Sequence, residues 1–376
     1  VHSRQICEWL LSREDFDVTV QVLKWGETSW MVNSDLESGL VGKIMEKSSP
    51  VEGVYDITFQ VQLPDEWEPS LGKFNVGITA GVETDKCNPE WISHINKMDL
   101  VIVPSEHVKK TFERTGDVKT NIVVIHESFH KAITQKNDTT LDLKIDTTFN
   151  FLVIGQLTGG NPMCDRKNLF YTIKWLCEAF KGDSEVGIIL KTNHGKNTKI
   201  DKALTKKLIT DLVKEVRQGE YPKIHLVHGH LTPEEISSMY TNPDVDCFVS
   251  LTRGEGFGLP LLEAAASGLP IIATEWSGHL DFLNHGKFIP IRYRLQPLPP
   301  ERLDNRIFTK DAKWAEPIEN DFKKKVKKFR NNYEIPGRWA ENLMHVIRDK
   351  FSHEAICKTY DKVINDSCSL DQESKN

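Results

Sequence analysis

The sequence predicts an α/β protein built from two doubly wound domains, each a mostly parallel sheet covered by helices. Three observations predict it. Apolar runs such as FNFLVIG (149–155) and VGIILKT (186–192) are too continuous for half-exposed strands and suit parallel strands buried on both faces. Such runs alternate with helix-like segments in two series, on either side of a polar stretch at 131–147. A chain of 376 residues is also longer than one ordinary core covers.

The first series opens on a helix. HSRQICEWLLSRE sets Ile6, Leu10 and Leu11 at helical spacing and runs directly into the strand-like DVTVQVL at 17–23. A doubly wound domain ordinarily opens with strand, glycine loop and helix, so the order predicts that a first strand and its loop are missing before Val1. Strand-like YDITFQVQL (55–63), FNVGITA (74–80), DLVIVPS (99–105) and NIVVIHES (121–128) follow. Helical WISHINKM and SEHVKKTFERTG separate some of them, with Ser105 as an N-cap and Gly116 as a stop. Residues 131–147 lose apolar periodicity and are the expected linker.

The second series comprises FNFLVIG, VGIILKT, IHLVHGH, VDCFVS and PIIAT, and its sheet is expected to face the first across a cleft. The expected divisions are 1–147, 148–345 and a closing segment 346–376 containing the helix-like FSHEAICKTYDKVIN at 351–365. Residues 290–317 are Pro-rich and read as irregular. In DFKKKVKKFRNN, Phe322, Val326 and Phe329 share one helical face while six cations surround them, the pattern of a solvated amphipathic helix.

Composition narrows the function. With 39% hydrophobic and 27% charged residues the chain reads as a soluble globular protein, and a net charge of −6 offers no global attraction to nucleic acid or anionic membrane. No run approaches the roughly 18 apolar residues of a membrane span and no signal-peptide pattern opens the chain, so a cytoplasmic location is expected. Seven scattered cysteines without a C-x-x-C pair read as reduced thiols. Asp244 and Asp246 form D-x-D but start a strand, and His225, His228 and His230 lack a carboxylate partner in sequence, so no bound metal is expected. A lone strand-end His126 reads as structural.

The most informative stretch is SLTRGEGFGLPLLE, 250–263. A strand passes through Gly254, Gly256 and Gly258 into a helix start, a place where backbone can approach a bound group and free N–H groups favour an anion such as a diphosphate. Glu255 precedes the helix and Glu263 lies one turn inside it. Glu275 after the next strand raises the alternative of a dinucleotide fingerprint, but that fingerprint needs a glycine at 259, where Leu stands.

E-G-F-G-L-P-x-x-E, with two glutamates separated by seven residues, resembles the signature of the retaining, nucleotide-sugar-dependent glycosyltransferases of family 4, and SGLPIIATEWSGHLDFL (267–283) resembles that family's next strand and donor-side loop. The resemblance implies the GT-B fold, with a first, acceptor-side domain and a second domain that binds the nucleotide sugar. It implies that the closing helix crosses back to the first domain.

It also implies site roles. In GQLTGGNPMCDRKNL, Arg166 and Lys167 would neutralise charge building on the leaving diphosphate without a metal. Glu263 would accept the ribose hydroxyls, Glu255 would lie by the donor sugar, and backbone N–H groups at Phe257, Gly258 and Leu259 would meet sugar or phosphate oxygens. The family often has Arg after the glycine of this strand end, where this chain has Gln156, so the clamp would rest more on Lys167. Enzymes of this kind are described by front-face departure and attack, with the leaving phosphate taking the acceptor proton. Acceptor-side candidates are Glu83 and Asp85 in GVETDKCNPEW, together with His2 and Ser3. The expected co-substrate is a nucleotide sugar such as a UDP- or GDP-sugar, and no further cofactor is expected. The acceptor is open among glycan, lipid-linked sugar, small molecule, protein and modified nucleic acid. Two other readings are a nucleotide-sugar processing enzyme, epimerase-like, and a noncatalytic carbohydrate or nucleotide-sugar binding protein.

Overall fold

The computed structural model describes the chain except residues 24–32, 51, 136–138, 140, 158–160, 194–197, 218 and 374–376, and for 368–373 the backbone alone. Its first part holds α1 (His2–Leu11), α2 (Leu40–Glu46), β1 (Tyr55–Val61), β2 (Gly72–Ile78), α3 (Trp91–Ile95), β3 (Leu100–Val103), α4 (Glu106–Thr115) and β4 (Ile122–Val124). There follow β5 (Phe149–Ile154), α5 (Leu169–Ala179), β6 (Val186–Thr192), α6 (Lys199–Val216), β7 (Lys223–His228), α7 (Pro233–Tyr240), β8 (Cys247–Ser250), α8 (Leu259–Ala266), β9 (Ile271–Thr274), α9 (Leu280–Leu283) and β10 (Ile289–Ile291). A hairpin, β11 (Tyr293–Pro297) and β12 (Lys313–Pro317), leads to α10 (Glu319–Asn331), α11 (Glu334–Lys350) and α12 (His353–Glu373).

Among the described residues, β1-β2-β3-β4 form one parallel sheet and β10-β9-β8-β5-β6-β7 a second. Both are covered on two faces, as the continuous apolar runs require. Side chains alternate along β5, so Phe149, Phe151 and Val153 enter one core layer and Leu152 the opposite one. In β3, Val101 and Val103 likewise face one layer while Leu100 and Ile102 face the other. The chain is thus α/β with two Rossmann-like domains.

Several elements differ from the sequence reading. DVTVQVL is not a strand: among the described residues its one bridge is Val20 to Ser48, and Val22 and Leu23 stand exposed, because alternation yields a strand only where a sheet edge is present to pair with it. Residues 290–317 are not wholly irregular. Pro290, Pro297 and Pro317 sit at edge positions in β10, β11 and β12, where a missing N–H is tolerated. α11 carries Pro336 in its first turn, where proline removes an N–H that had no intrahelical partner anyway. In the 131–147 stretch, Leu141, Leu143 and Ile145 pack from irregular chain against the second core. The amphipathic reading of α10 agrees with the structure, which buries Phe322, Val326 and Phe329.

The closing helix α12 returns to the first sheet. Tyr360 stacks on Trp9 with centroids 4.8 Å apart, and Asp361 accepts the Trp9 indole N–H at 2.9 Å and the Arg13 guanidinium at 2.6 Å. The hairpin also reaches that part of the chain, through Arg306 to Asp65 and Glu66 and through paired backbone and side-chain bonds between Asp85 and Lys313. No helix among the described residues is long and apolar enough to cross a membrane.

Candidate functional site

The site lies where the carboxyl ends of β5, β8 and β9 face the carboxyl end of β2, the crevice that open α/β sheets offer to ligands. The glycine turn enters α8 with Gly258 as N-cap at φ 104°, a left-handed conformation that a side chain would strain. The other two glycines work differently from the sequence reading. A Cβ on Gly254 would stand 1.9 Å from the Glu83 carbonyl oxygen, and one on Gly256 2.2 Å from the Ala80 carbonyl oxygen. The close approach they permit is to the first domain's backbone, which seals the end of the cleft. Ser105 adds to the seal, donating from its hydroxyl to the Gly256 carbonyl at 2.6 Å while capping α4 through the Val108 N–H. The Asp281 carboxylate accepts the Glu106 N–H of that same helix start at 2.7 Å.

Glu255 is the centre of the charged cluster. Lys167 Nζ donates to its Oε1 at 2.6 Å and Arg166 Nη1 to its Oε2 at 3.0 Å. Burial works against its ionisation, but the two cations outweigh it and hold the carboxyl down at about 2. Arg166 also donates to the Gly254 carbonyl at 2.6 Å and pairs with Glu83 at 3.2 Å across the cleft. The Glu255 backbone is pinned as well, its N–H donating to Ser277 Oγ at 2.9 Å and its carbonyl accepting the Gly278 N–H at 3.0 Å. Ser277 at φ 88° and Asn168 at φ 55° are left-handed without being glycine, strain of the kind that surrounding contacts hold in place at functional sites.

Glu263 has the opposite electrostatics. Burial, with little relief from the neighbouring Tyr240 hydroxyl, pushes its carboxyl up to about 7. Glu127, which sequence reading passed over, is 5% exposed and is likewise pushed up to about 7 by burial, then by the charges of Glu255 and Glu263. Its signal was available, since HES follows the apolar IVVI of β4 just as GVET follows β2.

The remaining candidates divide. His2 Nδ1 lies 3.8 Å from Glu127 Oε1, and burial lowers its imidazole to about 4, so it belongs to this side of the cleft; Ser3 is exposed. Glu83 meets Arg166, whereas the Asp85 carboxylate is bound to the Lys313 N–H at 2.6 Å and faces the hairpin instead. Gln156 is exposed and the Phe257 ring is core, stacked on His126 at 5.7 Å, so Phe257 presents only backbone to the site. Among the described residues the amides of Phe257, Gly258 and Leu259 donate to no protein acceptor. Asp246 accepts the Asn150 N–H at 2.7 Å, a strand-start bond, and Glu275 is exposed.

This cluster places two cations and the open amides of a helix start beside two glutamates whose carboxyls are shifted in opposite directions. It suits an anionic diphosphate attached to hydroxyl-bearing groups.

Comparison with known proteins points the same way. Residues 210–307, which include Glu255 and Glu263, match the family model described as Glycosyl transferases group 1. No curated protein matches the chain significantly. Among solved structures, the chain is similar to the pneumococcal O-GlcNAc transferase GtfA in complex with UDP and GlcNAc at TM-score 0.51 and 14% identity. That match covers 79% of this chain and 53% of GtfA, so the chain spans about half the length of that protein. It is similar to Anabaena HepE in complex with UDP and glucose at TM-score 0.54 and 13% identity, covering 78% of this chain and 72% of HepE. A glycosyltransferase from Rickettsia africae superposes at TM-score 0.58 and 14% identity, covering 83% and 77%. These likenesses are of fold, and the fold is GT-B.

Proposed function

We propose that the chain is a retaining glycosyltransferase of the family-4 kind, moving a sugar from a nucleoside diphosphate to a hydroxyl acceptor. The observation that carries this reading is the pairing of Lys167 and Arg166 with Glu255 at the open start of α8, one turn from a half-buried Glu263. Lys167 and Arg166 bind the diphosphate and neutralise the charge that grows on it as the anomeric C–O bond breaks. The amides of Phe257, Gly258 and Leu259 meet the remaining phosphate or sugar oxygens. Glu263, when ionised, accepts the two ribose hydroxyls. Glu255, kept as a carboxylate by its cations, orients the sugar hydroxyls and favours positive charge at the anomeric carbon. The acceptor oxygen then bonds to that carbon on the face the diphosphate leaves, and its proton passes to a leaving phosphate oxygen.

The first domain contributes Glu83 and the buried pair His2 and Glu127 on the acceptor side. UDP-sugars are the first donors to try, because the GtfA and HepE structures hold UDP.

A calorimetric screen of UDP-, GDP- and ADP-sugars tests the reading. At least one binds, and a suitable acceptor then triggers nucleotide release. Lys167→Ala and Glu263→Ala each weaken donor binding; unchanged affinity in both variants refutes the site. Binding without nucleotide release on any acceptor would favour a noncatalytic nucleotide-sugar binding protein.

A further inference from the structure

Arg253, between the β8 strand and Glu255, has no exposed surface. A buried guanidinium is costly unless every N–H finds a partner, and here the partners are specific. Its Nε and Nη2 form a fork onto Glu316 of β12, at 2.6 and 3.2 Å. Its Nη1 donates to the carbonyls of Pro162 at 3.0 Å and Asp165 at 2.6 Å. Trp314 of the hairpin lies under the guanidinium plane, 5.3 Å from its carbon to the ring centre. The backbone repeats the connection: the Arg253 N–H donates to the Arg166 carbonyl at 2.8 Å, and its carbonyl accepts the Ala315 N–H at 2.9 Å. One residue therefore ties the catalytic turn, the loop that carries Arg166 and Lys167, and the β11–β12 hairpin.

We propose that Arg253, gripped by Glu316, is a positioning residue that sets Arg166 and Lys167 in place for the donor diphosphate. This rests on the nucleotide-sugar reading of the site. Arg166 and Lys167 lie on an irregular segment between a short 3-10 turn at Pro162–Cys164 and α5, so no helix or strand of their own fixes them. The carbonyls on Arg253 Nη1 flank that segment, and the carbonyl of Arg166 itself is held by the Arg253 backbone. A lysine at 253 could not reproduce the arrangement, because one ammonium cannot fork onto a carboxylate and reach two carbonyls. The hairpin, which reads from sequence as irregular, becomes part of the donor site through Glu316.

The test is UDP binding by calorimetry to the wild type, Glu316→Gln, Lys167→Ala and the double variant, with hydrogen exchange followed across residues 161–168. Glu316→Gln weakens UDP binding by roughly tenfold and speeds exchange in 161–168, and most of that loss disappears in the Lys167→Ala background because both changes act through the same cations. Unchanged affinity in Glu316→Gln, losses that simply multiply, or unchanged exchange in 161–168 overturns the proposal. If Glu316→Gln does not fold, Glu316→Asp, which keeps the charge but withdraws it by one methylene, is judged by the same outcomes. A wild type that binds none of UDP, GDP and ADP removes the nucleotide-sugar reading and this proposal with it, whereas a wild type that binds UDP beside an unaffected Glu316→Gln removes this proposal alone.

Discussion

The loops that meet across the cleft from the two sheets are built on different principles. On the second sheet, the turn after β8 and the loop after β5 are held by charges: Arg253 on Glu316 of β12, Lys167 and Arg166 on Glu255. On the first sheet, the loop after β2 offers mainly backbone, the carbonyls of Ala80 and Glu83 against Gly256 and Gly254, with one carboxylate, Glu83, reaching Arg166. The first arrangement needs each side chain in place. The second needs only close approach, which glycine permits and any other residue prevents. The proposed donor site is therefore built from side chains of the second domain, and the first domain meets it mainly through backbone.

The largest effect is expected where the charges are. Lys167→Ala should lower kcat/KM by roughly 10²–10³-fold in a nucleotide-release assay, in line with the loss of one preorganised partner for a developing anion. Near-normal turnover would mean that the cations of the second domain are ornamental. Next, Gly254→Ala drives a methyl into a backbone carbonyl that cannot yield. The domains should part, visible as a larger radius of gyration in solution scattering, and turnover should fall by about 10²-fold from misplacement while UDP affinity is little changed. A comparable loss of UDP affinity would show that the first domain shares in donor binding.

The two motif glutamates allow a smaller and more pointed comparison. Glu263 has its carboxyl raised from 4.5 to about 7 in the folded protein. Between those values the folded state holds a proton that the unfolded state has lost, so ionising Glu263 costs stability as pH rises, fully so above about 7. Glu263→Gln should therefore be more stable than the wild type at pH 8, on the order of 3 kcal/mol, with the gain fading toward pH 4.5. Glu255, held at about 2, has the opposite sign: its contribution is present above 4.5 and is lost as pH falls toward 2. Thermal melting of Glu263→Gln and Glu255→Gln across pH checks the signs, and parallel curves would break the distinction. The smallest effect belongs to the exposed pairs of Arg306 with Asp65 and Glu66, whose removal in Arg306→Ala should cost less than about 1 kcal/mol.

Much of the fold was legible because both sheets are buried on two faces, which turns strands into continuous apolar runs. The misreadings fall where local pattern and tertiary context part company. DVTVQVL alternates like a strand but among the described residues bridges Ser48 alone, and β11 and β12 look like loop because their prolines are tolerable only at an edge. At the site, glutamates and cations separated by 88 residues were both visible as candidates, and the structure joins them through Lys167 and Glu255. Arg253 and Glu127 escaped notice because an arginine beside a glycine turn and a glutamate after a short strand are ordinary in sequence; burial alone makes them costly and hence informative.

By itself, the sequence determined the class of the protein: two parallel-sheet domains and a helix start at 259 preceded by glycines and an acid, because periodicity, caps and glycine positions act over a few residues. Only the tertiary structure decided which carboxylates are ionised, what the glycines make room for and what holds the cations. Those depend on burial and on the approach of segments far apart in the chain, quantities that no local pattern encodes.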